Sequence, residues 1–139
     1  MAFSKLTLKL VGFIFIYFFI VDFKYLFSII FIQGVKSLVL ASNDTRFGSL
    51  PLKFLNDLDI DGNVIYFVDT SFLRGVDEVL TEFADGQPRG RFFKFDQSTN
   101  QINLLLDNLY FPNGITLTPK KDAVLINEMT TTRILKYLF

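Results

Sequence analysis

Residues 56–71 read NDLDIDGNVIYFVDTS, and two readings of that stretch lead to different proteins. Asp57, Asp59 and Asp61 stand two apart with Gly62 after them, as in the opening of a helix–loop–helix calcium loop. Counting Asp57 as position one puts Gly62 correctly at six, but position twelve is Val68, where a bidentate glutamate is required. The flanks also read as strands. The three aspartates alternate with Leu58 and Ile60 at the strand period of two, DGN makes a hairpin turn, and NVIYFVD is a β-branched and aromatic run. The stretch is a β-hairpin.

The same unit occurs twice. NDLDID, NVIYFVDTS and GRFFKFD in the first copy correspond to NGITLT, DAVLINEMT and TRILKYL in the second. Asn56 pairs with Asn113, Asp69 with Glu128, and Arg91-Phe92-Phe93-Lys94-Phe95 with Arg133-Ile134-Leu135-Lys136-Tyr137. The copies differ mainly by an insertion, Phe72 to Pro88, where the second has a short turn. One further strand precedes each copy, VKSLVLA (35–41) and INLLLDNL (102–109). Turn formers separate the strands, and no amphipathic helix is expected after residue 34.

Four short antiparallel strands at this spacing mark a β-propeller blade. A plain antiparallel sandwich also has short strands and turns, but it does not call for the repeated asparagine start or the repeated arginine-led strand. The expected fold is all-β: an outer strand of one blade, one full blade and three strands of the next. Fewer than two blades cannot close a ring and would leave open sheet edges. The chain therefore reads as a fragment of a propeller, over residues 35–139, preceded by an apolar N-terminal helix within residues 1–34.

Composition narrows the chemistry. The 139 residues carry 14 basic and 14 acidic side chains, a balance that gives no nucleic-acid surface. There is no cysteine and no histidine, which removes disulfides, thiolate nucleophiles, the usual zinc ligands and any imidazole base from this chain. Eight of the 18 phenylalanines fall in residues 1–34, and that segment dominates the positive mean hydropathy.

Within it, Leu10 to Val21 (LVGFIFIYFFIV) is free of charge and follows Lys5 and Lys9. A membrane span needs about 20 residues. Extending to Ile32 reaches that length but takes in Asp22 and Lys24, each costing roughly 2.5–3.5 kcal/mol near a helix centre. A signal anchor with the two lysines on the cytosolic side fits, giving a single-pass protein with a lumenal or extracellular propeller. A secreted protein is the alternative, although no small-residue cleavage pattern follows Val21. An artefact of a mis-joined gene model stands second to the anchor, and a core helix third, because the segment is apolar on every side. Asn43-Asp44-Thr45 is an N-glycosylation sequon, meaningful only on a lumenal side.

NDLDIDGNVIYFVDTS, GRFFKFD, LLLDNLYFPNGITLTPKKDAVLINE and TRILKY, in that order, resemble the strictosidine synthase-like family from about Val35 to Phe139. That family has six-bladed propellers. In its wider superfamily, with the paraoxonases and calcium-dependent lactonases, side chains at the channel ends of the inner strands hold a central calcium ion. The resemblance implies that Asn56 and Asn113 are two of those ligands, and that Asp57 matches an aspartate serving a second, structural calcium in paraoxonases. Amide and carboxylate oxygens suit such a hard cation. The remaining ligands, and any catalytic glutamate of the plant synthases, would lie outside this chain. Those synthases replace the asparagine of PNG, whereas this sequence keeps it. That points away from a Pictet–Spengler condensation and toward calcium-assisted hydrolysis of a small-molecule ester or lactone in the full-length parent. A membrane-anchored propeller that binds a ligand or partner without turnover is the alternative. For the 139-residue chain itself neither activity is expected.

Plainer roles stand beside these. An asparagine at a strand start also serves as a turn or cap. Asp69 and Glu128 read first as acceptors for backbone amides in the blade and second as groups near the site, and Arg91 and Arg133 as blade-edge charges. The insertion reads as a binding-face loop or as solvated surface.

Overall fold

A computed structural model describes residues 50–139, together with residues 45–47, Leu40 and three short strands nearer the N-terminus. The chain divides into two units, residues 1–42 and 43–139. In the first, β1 (Phe15–Ile16), β2 (Ile30–Ile32) and β3 (Lys36–Leu38) form an antiparallel sheet in that order. β3 falls within the expected strand VKSLVLA, but its partner is β2. Apart from β1 and β2, the segment expected to be an apolar helix lies outside the described residues, as does the sequon asparagine Asn43. No helix among the described residues is long and apolar enough to cross a membrane.

The second unit carries the repeat. Strands β4 (Leu55–Asp61), β5 (Val64–Asp69), β6 (Gly90–Asp96) and β7 (Gln101–Leu109) form one antiparallel four-stranded sheet in chain order. Strands β8 (Pro112–Leu117), β9 (Ala123–Glu128) and β10 (Arg133–Leu138) form a second sheet on the same plan. They are one complete propeller blade and three strands of the next, as the internal repeat predicts.

The period of two assigns the faces. Tyr66, Val68 and Phe92 point to one side of the first blade, where they form a buried cluster with Leu109, Ile115, Val124 and Ile126. On the other side Phe67 stacks on Phe93 with centroids 5.2 Å apart, and Phe47 stands edge-on to both. Burying each such side chain is worth roughly 1.5–3 kcal/mol, and the first cluster, which draws on both sheets, ties the blades together.

Polar groups set how the blades meet. The innermost strand β8 has a free edge toward β4, and the aspartates of β4 occupy it. Asp57 Oδ2 accepts from Ile115 N (2.9 Å) and Asp59 Oδ2 accepts from Leu117 N (2.8 Å). Asp61 forms an ion pair with Lys121. The ladder resembling a calcium loop is a seam between two inner strands.

Two expectations are corrected. The insertion is not without helix: α1 spans Val79–Asp85 and ends at Gly86, which takes the left-handed conformation with φ 59°. Seven residues are too few to show a helical period, and isolated helices below about 12 residues are unstable. Here Arg74 and Arg89 converge on Glu82 and Asp85 and hold the turn. Glu82 is buried, so the acidic content of the insertion is not all solvated surface. Nor is Arg91 a blade-edge charge. It is 4% exposed and paired with the fully buried Asp69.

Candidate functional site

The paired asparagines come together. β4 begins with Leu55 opposite Asp69, and the register then slips by one residue before Leu58 meets Phe67. β8 slips in the same way between Pro112 and Gly114. Each slip is a β-bulge, and the extra residue lies at Asn56–Asp57 in one blade and at Asn113 in the other. A bulge bends the strand and re-aims a side chain out of the ladder. Asn56 Nδ2 donates to Asn113 Oδ1 at 2.8 Å, joining the starts of two adjacent inner strands.

A buried polar frame surrounds this pair and repeats from blade to blade. Asp69 ends β5; its Oδ1 accepts from Phe54 N (2.8 Å) and Lys53 N (3.3 Å), and its Oδ2 from Arg91 Nε (3.2 Å). Glu128 ends β9; its Oε1 accepts from Tyr110 N (2.7 Å) and its Oε2 from Arg133 Nε. In both blades an acid closing the second strand thus grips the chain entering the first strand, with an arginine from the third as counter-charge. Burial pushes the Asp69 carboxyl up to about 6, against the pull of Arg91 and the two amides.

The residue after each acid touches the asparagine of its own blade. Thr70 Oγ1 accepts from Asn56 Nδ2 (3.0 Å) and donates to Pro112 O (2.6 Å). Met129 Sδ accepts from Asn113 Nδ2. Phe54 and Phe111 precede the asparagines and meet edge-on, with centroids 5.9 Å apart. Phe111 has φ 50°, a left-handed backbone that costs a bulky residue roughly 1–2 kcal/mol. Its ring is clamped between Phe54 and Phe83 of α1, so the helical insertion packs beside the entry to the inner strands.

The donor set can be tested against a hard cation. Asn56 Oδ1 accepts no hydrogen bond among the described residues, and Asn113 Oδ1 accepts one, leaving a lone pair. Two neutral amide oxygens suit Ca2+ in kind but fall short of the roughly six to eight it takes. Among the described residues no group of three or more acidic side chains could hold a metal, so further ligands would come from beyond them. Asp57 is turned elsewhere: Oδ1 accepts from Leu58 N (2.9 Å), while Oδ2 serves the seam to Ile115.

Sequence reasoning paired the asparagines but passed over Thr70 and Met129. The repeat held the clue, because both follow the matched acids directly.

The arrangement defines part of a β-propeller in which the inner strands of successive blades begin with paired asparagines. The strictosidine synthase profile matches residues 56–139, and the chain belongs to that family. It is 38% identical over 102 residues to the zebrafish (Danio rerio) adipocyte plasma membrane-associated protein, covering 72% of this chain and 24% of that protein. The bovine (Bos taurus) protein of the same name is 37% identical over 101 residues, covering 71% and 24%. Strictosidine synthase-like protein 10 of Arabidopsis thaliana is 41% identical over 88 residues, covering 62% and 24%. The chain thus spans about a quarter of the length of these relatives.

Proposed function

We propose that these blades belong to a calcium-dependent hydrolase of esters or lactones, with Asn56 and Asn113 as two of the ligands of a central Ca2+. The observation that carries this reading is the pairing of two bulged asparagines whose amide oxygens keep free lone pairs. A bound calcium would polarise the substrate carbonyl and stabilise the oxyanion that develops on it. This chain's part is to hold two neutral oxygens at the starts of its inner strands. It contributes no histidine, so the group that accepts the proton would lie outside this chain. Asp69 is unsuited to that role, because it is fully buried and its oxygens are taken up by Arg91 and two backbone amides. Asp57, engaged along the seam, would serve only a second, structural calcium.

The asparagine pair offers neutral amides and no proton-accepting group, which favours a second reading, a propeller that binds a ligand or partner without turnover, calcium being structural. Either form would sit at a membrane, as the names of the adipocyte relatives suggest, through the apolar segment after Lys5 and Lys9. Glycosylation at Asn43 would follow if the propeller is lumenal.

Aryl-ester hydrolysis by the full-length protein, with and without chelator, separates the two. The hydrolase reading expects turnover that chelation abolishes and that Asn56→Ala with Asn113→Ala reduces at least 100-fold, about 2.7 kcal/mol of transition-state stabilisation. Unchanged calcium-dependent turnover in the double variant would contradict it. Calcium binding without turnover would favour the second reading.

A further inference from the structure

We propose that Thr70 is the positioning residue of the asparagine pair: its hydroxyl decides which way both amides face, so that oxygen is offered to a cation. The proposal rests on the calcium reading above and deepens it. Thr70 is fully buried and its hydroxyl has two partners. One is the carbonyl of Pro112 at 2.6 Å, which can only accept. The hydroxyl proton must therefore point to Pro112, leaving lone pairs toward Asn56 at 3.0 Å. Only an amide nitrogen can donate to them. The second hydrogen of that nitrogen reaches Asn113, 2.8 Å away, which must answer with oxygen. The nitrogen of Asn113 is left facing the Met129 sulfur, an acceptor.

Each amide is thus ordered from one end. The order begins at Thr70, because a thioether is too weak an acceptor to set it from the Met129 side. If Asn56 were reversed, its oxygen would face the lone pairs of Thr70 and the oxygen of Asn113 together. In the observed order Asn56 Oδ1 accepts nothing among the described residues and is free to ligate.

The test is calorimetric titration, with Ca2+ alone, of the full-length protein that carries these blades. Thr70→Val keeps the shape and loses the hydroxyl; calcium affinity should fall about 10-fold or more, the usual effect of removing a group that orients a metal ligand. Thr70→Ser should bind as the wild type does, and Thr70→Cys, a weaker acceptor, should fall between. In an Asn56→Ala background Thr70→Val should cost nothing further, since Thr70 acts through Asn56. A merely structural role would give the same fold-loss in both backgrounds. That result, or a different order among the Thr70 variants, overturns the proposal while Asn56→Ala still weakens binding. If the wild-type full-length protein binds no calcium, the calcium reading fails and takes this inference with it.

Discussion

The two blades solve one problem with different solvent access. In the first, the acid after the second strand is Asp69, fully buried and paired with an Arg91 that is itself buried. Arg91 also donates to Leu50 O (3.0 Å) and Pro51 O (2.7 Å), tying down the chain before β4. In the second blade the acid is Glu128, one methylene longer and equally buried, but its partner Arg133 has a half-exposed side chain. The shared plan shows what the fold requires, an acid that grips the incoming inner strand. The difference shows what it leaves free, whether the counter-charge is dry.

The largest effect should come from breaking that comparison. Arg91→Ala strands Asp69 without its partner in a dry site and should cost the full-length chain about 3–5 kcal/mol by urea denaturation. Arg133→Ala should cost clearly less, because its half-exposed side chain already shares its charge with water. Equal losses would mean that exposure does not separate the two pairs.

The buried pair also sets a pH dependence. With its folded carboxyl at about 6, above the unfolded value of about 3.9, Asp69 holds a proton in the native protein that the unfolded chain releases. Its stabilising contribution is present below about pH 4 and is lost as pH rises to about 6. Relative to Asp69→Asn, the wild type should lose stability across that window. A relative gain would reverse the sign and place the folded value below the unfolded one.

Gly90 sharpens the contrast at the meeting of the blades. A Cβ there would lie 2.2 Å from Pro112 Cδ, and Pro112 is fully buried next to Asn113. Gly90→Ala should cost about 1–3 kcal/mol by the same denaturation. The seam gives the smallest pair of effects. Asp59→Ala leaves the Leu117 amide without its acceptor and should cost about 1–2 kcal/mol. Asp61→Ala removes an exposed ion pair with Lys121 and should cost about 0–1 kcal/mol. The reverse ranking would show that the seam is held by charge and not by hydrogen bonds to the strand edge.

Strands β4 to β10 were legible in the sequence because period two and the turn residues report the backbone directly, and the repeat made the blade plan visible. The pairing of Asn56 with Asn113 was legible for the same reason. What stayed hidden depends on partners rather than periods. Alternation gives Asp57 and Asp59 a face, but not the edge of β8 opposite. A bulge adds one residue and leaves no periodic trace. The burial of Arg91 and the seven-residue α1 arise from ion pairs formed only when distant segments meet.

The central claim is that the bulged asparagines of successive blades make one cation-facing pair. The most direct measurement is anomalous diffraction from crystals of the full-length chain soaked in a lanthanide, used in place of calcium. The account predicts a peak about 2.3–2.6 Å from the amide oxygens of both Asn56 and Asn113. A peak bound elsewhere, with none within ligand distance of the two amide oxygens, would contradict it.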